Sequence, residues 1–384
     1  MPPRGAASGA AAMHEDAWDA YGGRGAGPPE EAPRIRPEPA GGAEPRGAGR
    51  PDGPPSLLSR VAESLFWMGR YVERADDTAR LLDAFVHRMV EDPWTDESAA
   101  CHALLGVLGL AAAAPDHDHA PGPDAAGHPR PPADLDTQAT VRRVAFDEDS
   151  PSSITGALLL ARENARGVRE VVSSEIWECL NVTRHGLVAS RKSAELLGPA
   201  EFLAHVRERA ALFCGLADAT LSRDEGWRFL VLGRSLERAD MTARLLSVFL
   251  TGAGPMPDRT TLLRAAGAEE SFLRTHGGAA GTGRAVEFLV LDRLFPRSVL
   301  HALSTAEECL LALGPETAER TGVADAARRP VGRLRTRLEY ADVGSFDHEL
   351  PLLLADLGAA CSQATDAVAR RFFPDAPLAP WEGR

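Results

Sequence analysis

Two short segments of the sequence carry the same set of acidic and basic side chains. Residues 69–82 read GRYVERADDTARLL, and residues 233–246 read GRSLERADMTARLL. In both, an arginine, a glutamate, an aspartate and another arginine follow at spacings of three, three and four, which places them on one flank of an α-helix. A further arginine comes directly after each glutamate. The charged residues are Arg70, Glu73, Arg74, Asp76 and Arg80 in the first segment and Arg234, Glu237, Arg238, Asp240 and Arg244 in the second.

Two interpretations of this charged flank are open. Charges at these spacings can form an exposed ladder of ion pairs, which stabilises a helix only weakly. Alternatively, the carboxylates and guanidinium groups form a half-buried network that binds an anionic or peptide-like ligand, because arginine recognises such groups through paired hydrogen bonds. Repetition of the pattern fits both interpretations, since a structural clamp would be duplicated as well.

A second repeated element has the pattern Asp-x-x-x-Pro-x-Ser, at residues 147–153 and 292–298. Proline interrupts a helix, and serine is a preferred N-cap, the residue that accepts a hydrogen bond from the first turn of the next helix. We therefore predict a helix start at each serine. The alternative is an anion site at the helix N-terminus, with positive charge from the adjacent arginine. The candidate residues are Asp292, Arg297 and Ser298.

A third polar region lies at residues 161–181, where charged side chains are mixed with two asparagines. Asparagine is a poor helix former, so a specific polar contact is expected here. Ser173 or Ser174 is expected to cap the next helix. The candidate ligand-binding residues of this region are Glu163, Asn164 and Glu175.

No motif in the sequence predicts a metal or a cofactor. The paired Glu-x-x-His motifs of di-iron bundles are absent, as are HExxH, nucleophile-elbow and Cys–His signatures. Lys192 is the one lysine of the chain, and no glycine-rich loop precedes it. We therefore do not expect this chain alone to be an NTPase.

Apolar residues recur at alternating spacings of three and four through both charged segments, which predicts a long helix packed against other helices. Further helices are predicted near residues 96–112, 152–172, 174–197, 199–221, 297–313, 324–340 and 347–372. Strand signals are scarce, so the predicted fold class is all-α, a helical bundle. The apolar stripes are Leu65, Met68, Val72, Ala75, Ala79, Leu82 and Val86, and Phe229, Leu232, Leu236, Ala239, Ala243, Leu246 and Leu250.

The repeats indicate an internal duplication. Residues 65–86 and 229–250 are identical at 12 of 22 positions, at an offset of 164. The Asp-x-x-x-Pro-x-Ser elements are 145 residues apart, and a 19-residue Pro- and His-containing stretch, 115–133, accounts for the difference. We predict two homologous halves, 56–222 and 223–372, related by an approximate twofold axis that makes Glu73 and Glu237 equivalent, similarly buried and each held by an arginine.

The remaining segments have the composition of disordered chain. Residues 1–55 are rich in Gly, Pro and Ala, and we predict a disordered extension there. The stretch 115–133 is predicted to be a flexible insert rather than a site of metal capture by its histidines. Residues 373–384 form a short tail.

Composition limits the possible partners and the compartment. The net charge of −13 argues against nucleic acid as a partner. A membrane span is not expected, because no apolar stretch approaches about 20 residues. Five widely spaced cysteines, together with an N-terminus unlike a signal peptide, favour a reducing cytoplasm.

Four blocks of the sequence resemble the bacterial alpha-E domain family, in the same order. They are LLSRVAESLFWMGRYVERADDTARLLD, SSITGALLLARENARGVREVVSSEIWECLN, LGRSLERADMTARLL and FLVLDRLFPRSVLHAL. The resemblance covers about residues 56–372 without the insert. It implies a genomic or covalent association with circularly permuted ATP-grasp proteins, often near transglutaminase-like proteases, and it carries over no catalytic residue.

Three functions are therefore open at the level of sequence. The first is an all-α partner of an ATP-grasp ligase that makes or modifies a peptide or amide. The second is a stand-alone transferase or amide-forming enzyme that uses the duplicated glutamates and arginines. The third is a scaffold without a small ligand. Glutamates that converge on a pocket would favour an enzyme or a ligand-binding protein, and dispersed, exposed glutamates would favour the scaffold.

Overall fold

The computed structural model describes residues 59–110, 135–251, 258–314, 325–341 and 346–373. The predicted extension 1–55, the insert 115–133 and nearly all of the tail lie outside these ranges. Within them the chain is helical throughout and contains no β-strand. The helices are α1 (Ser59–Glu91), α2 (Glu97–Val107), α3 (Thr137–Phe146), α4 (Ile154–Gly167), α5 (Ser174–Leu197), α6 (Ala200–Thr220), α7 (Glu225–Thr251), α8 (Arg259–Ala265), α9 (Glu269–His276), α10 (Thr282–Leu291), α11 (Val299–Leu313), α12 (Arg328–Glu339) and α13 (Phe346–Phe372).

The predicted all-α class is confirmed. The seven helices expected outside the charged segments are found within a few residues of their predicted ends. The helices α3, α8, α9 and α10 were not predicted. They have ten residues or fewer, which is too short for a clear helical repeat of apolar positions.

Several helices begin where a short polar side chain caps them. Ser153, Ser173 and Ser298 accept hydrogen bonds from the first turns of α4, α5 and α11. Aspartates do the same for α2, α3 and α8. These side chains satisfy backbone N–H groups that have no partner within the helix.

The centre of the bundle is the pair of long helices α1 and α7, which pack directly on each other. The predicted apolar stripes are buried along both helices and are partly exposed only at their C-terminal ends. Helices α4, α6 and α8 pack on α1, while α2, α11 and α13 pack on α7. Helix α5 packs on α4 and α6, and α12 packs on α11 and α13.

Two glycines set the distance between the central helices. A Cβ atom on Gly69 would lie 2.1 Å from the backbone oxygen of Leu230, and a Cβ atom on Gly233 would lie 2.1 Å from that of Phe66. Neither position can therefore carry a side chain without separating the helices. The close approach brings the charged residues next to these glycines into contact across the crossing.

No helix in the described ranges combines the length and the apolar character needed to cross a lipid bilayer.

Candidate functional site

Glu237 of α7 is held by two arginines of α1. Its Oε2 accepts hydrogen bonds from Arg70 Nε at 2.7 Å and Arg74 Nη2 at 3.0 Å, and its Oε1 accepts one from Arg74 Nε at 2.5 Å. Arg70 is itself buried and also donates to Thr365 Oγ1 of α13 at 2.8 Å. Both oxygens of the Glu237 carboxylate are thus occupied by charge-assisted hydrogen bonds.

Glu73 of α1 has the reciprocal arrangement. Arg238 of α7 donates from Nε to Oε1 at 2.6 Å and from Nη2 to Oε2 at 2.7 Å. A second guanidinium, that of Arg297, lies 3.3 Å from Oε1. Glu73 and Glu237 are each only 2% exposed. The predicted flank is therefore an interhelical network and not an exposed ladder along one helix.

Both glutamates are held in the ionised form. Burial alone would raise their pKa values, but the guanidinium groups outweigh it. Arg238 and Arg297 lower the pKa of Glu73 to about 2, and Arg74 and Arg70 lower that of Glu237 to about 2. The carboxylates therefore stay charged at any physiological pH.

The arginine that directly follows each glutamate in the sequence also reaches a proline carbonyl. Arg74 Nη1 donates to the backbone oxygen of Pro151 at 3.3 Å, and Arg238 Nη1 donates to that of Pro296 at 3.1 Å. Each arginine thus joins three elements, which are its own helix, the partner helix and the loop that precedes α4 or α11.

These loops are built as the repeated Asp-x-x-x-Pro-x-Ser element predicts. Ser153 Oγ accepts from Gly156 N at 2.9 Å, and Ser298 Oγ accepts from His301 N at 3.1 Å. Each serine also donates to the backbone oxygen of the aspartate that opens its element. The side chain of Asp292 accepts from the backbone N–H groups of residues 294 and 295. The N-cap interpretation is confirmed for both serines.

Aspartates and arginines one turn further along extend the network. Arg80 Nε donates to Asp76 Oδ2 at 3.1 Å, and Arg244 Nη2 lies 2.9 Å from Asp240 Oδ2. Burial raises the pKa of Asp240 and Arg244 opposes that rise. These i, i+4 pairs are the one part of the predicted helical ladder that the structure retains.

Arg297 connects three carboxylates of α1. It lies 3.0 Å from Asp76 Oδ2, is hydrogen-bonded to Asp77, and contacts Glu73. Carboxylate oxygens of these three acids lie within 4.8 Å of one another, a spacing that could hold a metal ion. In this structure the positive charge of the Arg297 guanidinium compensates the negative charge of these acids. Asp76 Oδ1 and Asp77 Oδ2 accept no hydrogen bond from the described residues.

The role expected for Arg297 at a helix N-terminus is therefore corrected. Ser298 caps that terminus by accepting from the backbone N–H of His301, and the Arg297 side chain points to acids on α1. Arg234 is half-buried beside Cys214 of α6. Burial raises the pKa of the Cys214 thiol, and a hydrogen bond with Arg234 opposes that rise.

The three predicted residues of α4 and α5 do not take part in this network. Glu163 is exposed and pairs with Arg162 and Arg166 near its own position on α4. Asn164 Nδ2 donates to the Leu160 carbonyl of the same helix at 2.9 Å, so its polar contact is local. Glu175 is an exposed residue in the first turn of α5.

Partners missed by the sequence analysis are Asp77, Thr365 and Cys214. Asp77 has no counterpart in the second segment, where Met241 follows the aspartate. Thr365 and Cys214 lie on the helices α13 and α6, far from the motifs in sequence. No signal in the sequence placed these two side chains beside the arginines.

The fold and this network define an all-α domain centred on buried Glu–Arg contacts between two helices. The chain belongs to the Alpha-E family, described as a predicted alpha-helical domain with a conserved ER motif, which it matches over residues 57–373. No solved structure matches the chain.

Relatives of the chain occur in mycobacteria. Uncharacterised proteins of Mycobacterium bovis and Mycobacterium tuberculosis strain CDC 1551 are each 27% identical to it over 335 residues. The alignment covers 80% of this chain but 36% of each relative. The chain thus spans about a third of the length of these relatives.

Proposed function

We propose that this domain is the non-catalytic helical partner of an ATP-grasp ligase system that makes or modifies a peptide or amide. The observation that carries the non-catalytic assignment is the state of Glu73 and Glu237. Each carboxylate is buried, and both of its oxygens are held by arginines of the opposite helix. Neither glutamate lines the cleft between α4 and α5 or either of two smaller pockets in the described ranges.

The acidity of the two glutamates supports the same assignment. A general acid or base works best when its pKa is close to the working pH. Both glutamates have pKa values of about 2, so neither accepts a proton readily near neutral pH. The arrangement is well suited to a clamp, and the alternative of a stand-alone transferase has less support.

The ligase partner is proposed from the family resemblance and from the greater length of the mycobacterial relatives. Alpha-E domains are associated with circularly permuted ATP-grasp proteins, and often with transglutaminase-like proteases. The aligned region is 36% of each mycobacterial relative, which leaves room for a catalytic domain in the same chain. An external source of ATP chemistry also fits a sequence with one lysine and no phosphate-binding loop.

We further propose that the chain consists of two homologous halves related by an approximate twofold axis at the α1–α7 crossing. The contacts of Gly69 and Gly233, of Arg74 and Arg238, and of the two repeated loops are reciprocal. In this arrangement the Glu–Arg pairs 73–74 and 237–238 are the ER motif of the family.

The cytoplasm is the proposed compartment, supported by five cysteines that are all free.

The partnership can be tested by co-expressing the chain with a circularly permuted ATP-grasp protein from the same genome. We expect the two proteins to migrate together in size-exclusion chromatography, with or without nucleotide. Separate migration under both conditions would overturn the proposed partnership.

The non-catalytic assignment needs a different experiment. Glu237→Gln and Glu73→Gln should reduce formation of the product of the pathway only as far as they reduce the folded fraction. A variant that melts like the wild type but yields no product would instead show that the glutamate acts on a ligand.

A further inference from the structure

A cleft of about 440 Å³ lies between helices α4 and α5, away from the Glu–Arg network. Apolar side chains of Phe146, Leu159 and Leu187 form part of its wall. Clefts of a few hundred Å³ with apolar walls and a few polar groups are typical ligand sites. No residue of the central network lines it.

The charged lining of this cleft is only partly neutralised. Arg191 Nε donates a hydrogen bond to Glu195 Oε1 at 3.1 Å. The Arg191 guanidinium carbon also lies 5.7 Å from the centroid of the Phe146 ring. Arg184 and Lys192 also line the cleft, and neither forms an ion pair with any residue in the described ranges. Glu148 is the carboxylate of the lining that forms no ion pair with any other described residue. The unpaired charge is therefore positive on the side of α5.

The cations occur in a regular row. Arg184, Val188 and Lys192 are four residues apart on α5, so they follow one another at about 6 Å along one face of the helix. Val188 is 64% exposed. The row offers a basic, an apolar and a second basic position within about 12 Å.

An extended peptide matches this row. Successive side chains on one side of an extended chain are two residues apart, which is about 6.6 Å. Acidic side chains at positions 1 and 5 would then meet Arg184 and Lys192, and an apolar side chain at position 3 would meet Val188. We propose that the α4–α5 cleft binds an extended acidic peptide segment with this spacing of two carboxylates around one apolar residue.

This assignment goes beyond the proposed ligase partnership and does not depend on it. The two also fail separately, because peptide binding is measured on the purified chain alone. A salt-dependent affinity is expected, since the carboxylates meet exposed cations.

The test uses fluorescence anisotropy with the labelled peptide Glu-Gly-Leu-Gly-Glu and the full chain. A peptide of the same composition with adjacent carboxylates, Glu-Glu-Leu-Gly-Gly, is the control for spacing, and inorganic phosphate is the control for a simple anion site. We expect saturable binding of the first peptide, binding of the second that is weaker by about fivefold or more, and little competition from phosphate.

Substitutions locate the site. Arg184→Gln and Lys192→Gln should each weaken binding about fivefold, whereas Glu148→Gln should strengthen it. The substitutions Arg142→Gln and Arg143→Gln, which remove exposed cations on α3 outside the lining, should leave the affinity unchanged. Equal binding of both peptides, equal competition by phosphate, no measurable binding, or equal loss in the α3 variants would overturn the proposal.

Discussion

The guanidinium of Arg74 donates to both carboxylate oxygens of Glu237, a residue of the opposite helix. Arg238 does the same for Glu73. Each helix thus carries a glutamate that is neutralised from the other helix, although an arginine adjoins each glutamate in its own sequence. Four charged side chains that would be costly to bury alone are stabilised at one crossing.

Removing the charge of Glu237 should strongly destabilise the fold. Glu237→Gln keeps the shape of the side chain but leaves the buried Arg70 and the partly buried Arg74 without their carboxylate. The expected loss in the free energy of unfolding is about 3–5 kcal/mol, measured by urea unfolding. The control is Asp356→Asn, which removes an exposed interhelical partner of Arg337 and should cost about 1 kcal/mol or less. Similar losses in both variants would show that burial does not strengthen the central pair.

The two glutamates should make stability depend on acid pH. Their ordinary pKa is 4.5 and their folded value is about 2, so between these pH values the unfolded chain binds more protons. The stabilisation is complete above about pH 4.5 and is lost as the pH falls toward 2. Asp240 has a raised pKa and acts in the opposite direction.

We therefore expect the free energy of unfolding to fall more steeply between pH 5 and 3 in the wild type than in Glu237→Gln. The difference in slope should approach about 1.4 kcal/mol per pH unit for the one missing group. Urea unfolding at several pH values measures it. Parallel curves would mean that the Glu237 pKa is not lowered in the folded chain.

Alanine at either central glycine should force the helices apart. The Cβ of Gly69→Ala or Gly233→Ala would meet a backbone oxygen at 2.1 Å, and such overpacking typically costs about 1–3 kcal/mol or more. Gly215→Ala on α6 is the matched control, because nothing lies within 4 Å of its Cβ position. That change should raise the melting temperature, since alanine is favoured over glycine in a helix by about 1 kcal/mol. A Gly69→Ala variant that also gains stability would contradict the close crossing.

Loss of Arg297 should expose the mutual repulsion of the carboxylates on α1. Arg297→Ala removes the guanidinium that contacts Glu73, Asp76 and Asp77, and a lower melting temperature is expected. Magnesium or calcium should recover part of the loss, because a cation that binds the folded chain stabilises it. Arg293→Ala, in the same loop but with a side chain 65% exposed, is the control. Equal melting of the two variants would show that the carboxylates do not need Arg297.

Much of the scaffold could be predicted because its signals are local. The regular spacing of apolar residues predicted α1 and α7. A proline with a serine two residues later predicted where α4 and α11 begin. The cross-helix partners of Glu73 and Glu237 could not be assigned in the same way. Spacings of three and four predict contacts within a helix, whereas the actual partners depend on how closely Gly69 and Gly233 allow two distant segments to approach.

The role of Arg297 could not be predicted for the same reason, because it depends on a contact between distant segments. Its position before Ser298 suggested an anion site, because helix N-termini attract negative charge. Only the packing of its loop beside α1 shows that the negative charge comes from the protein itself.

The reciprocal contacts at the α1–α7 crossing also bear on how such a chain could arise. A chain that contained one copy of the repeat would have no second helix to receive its arginine or neutralise its glutamate. It could satisfy both groups only by pairing with an identical chain, in an isologous dimer in which each subunit offers the same surface. Joining two copies in one polypeptide would turn that concentration-dependent association into an intramolecular one. It would also free the two copies to diverge, and the difference between Asp77 and Met241 would be one example.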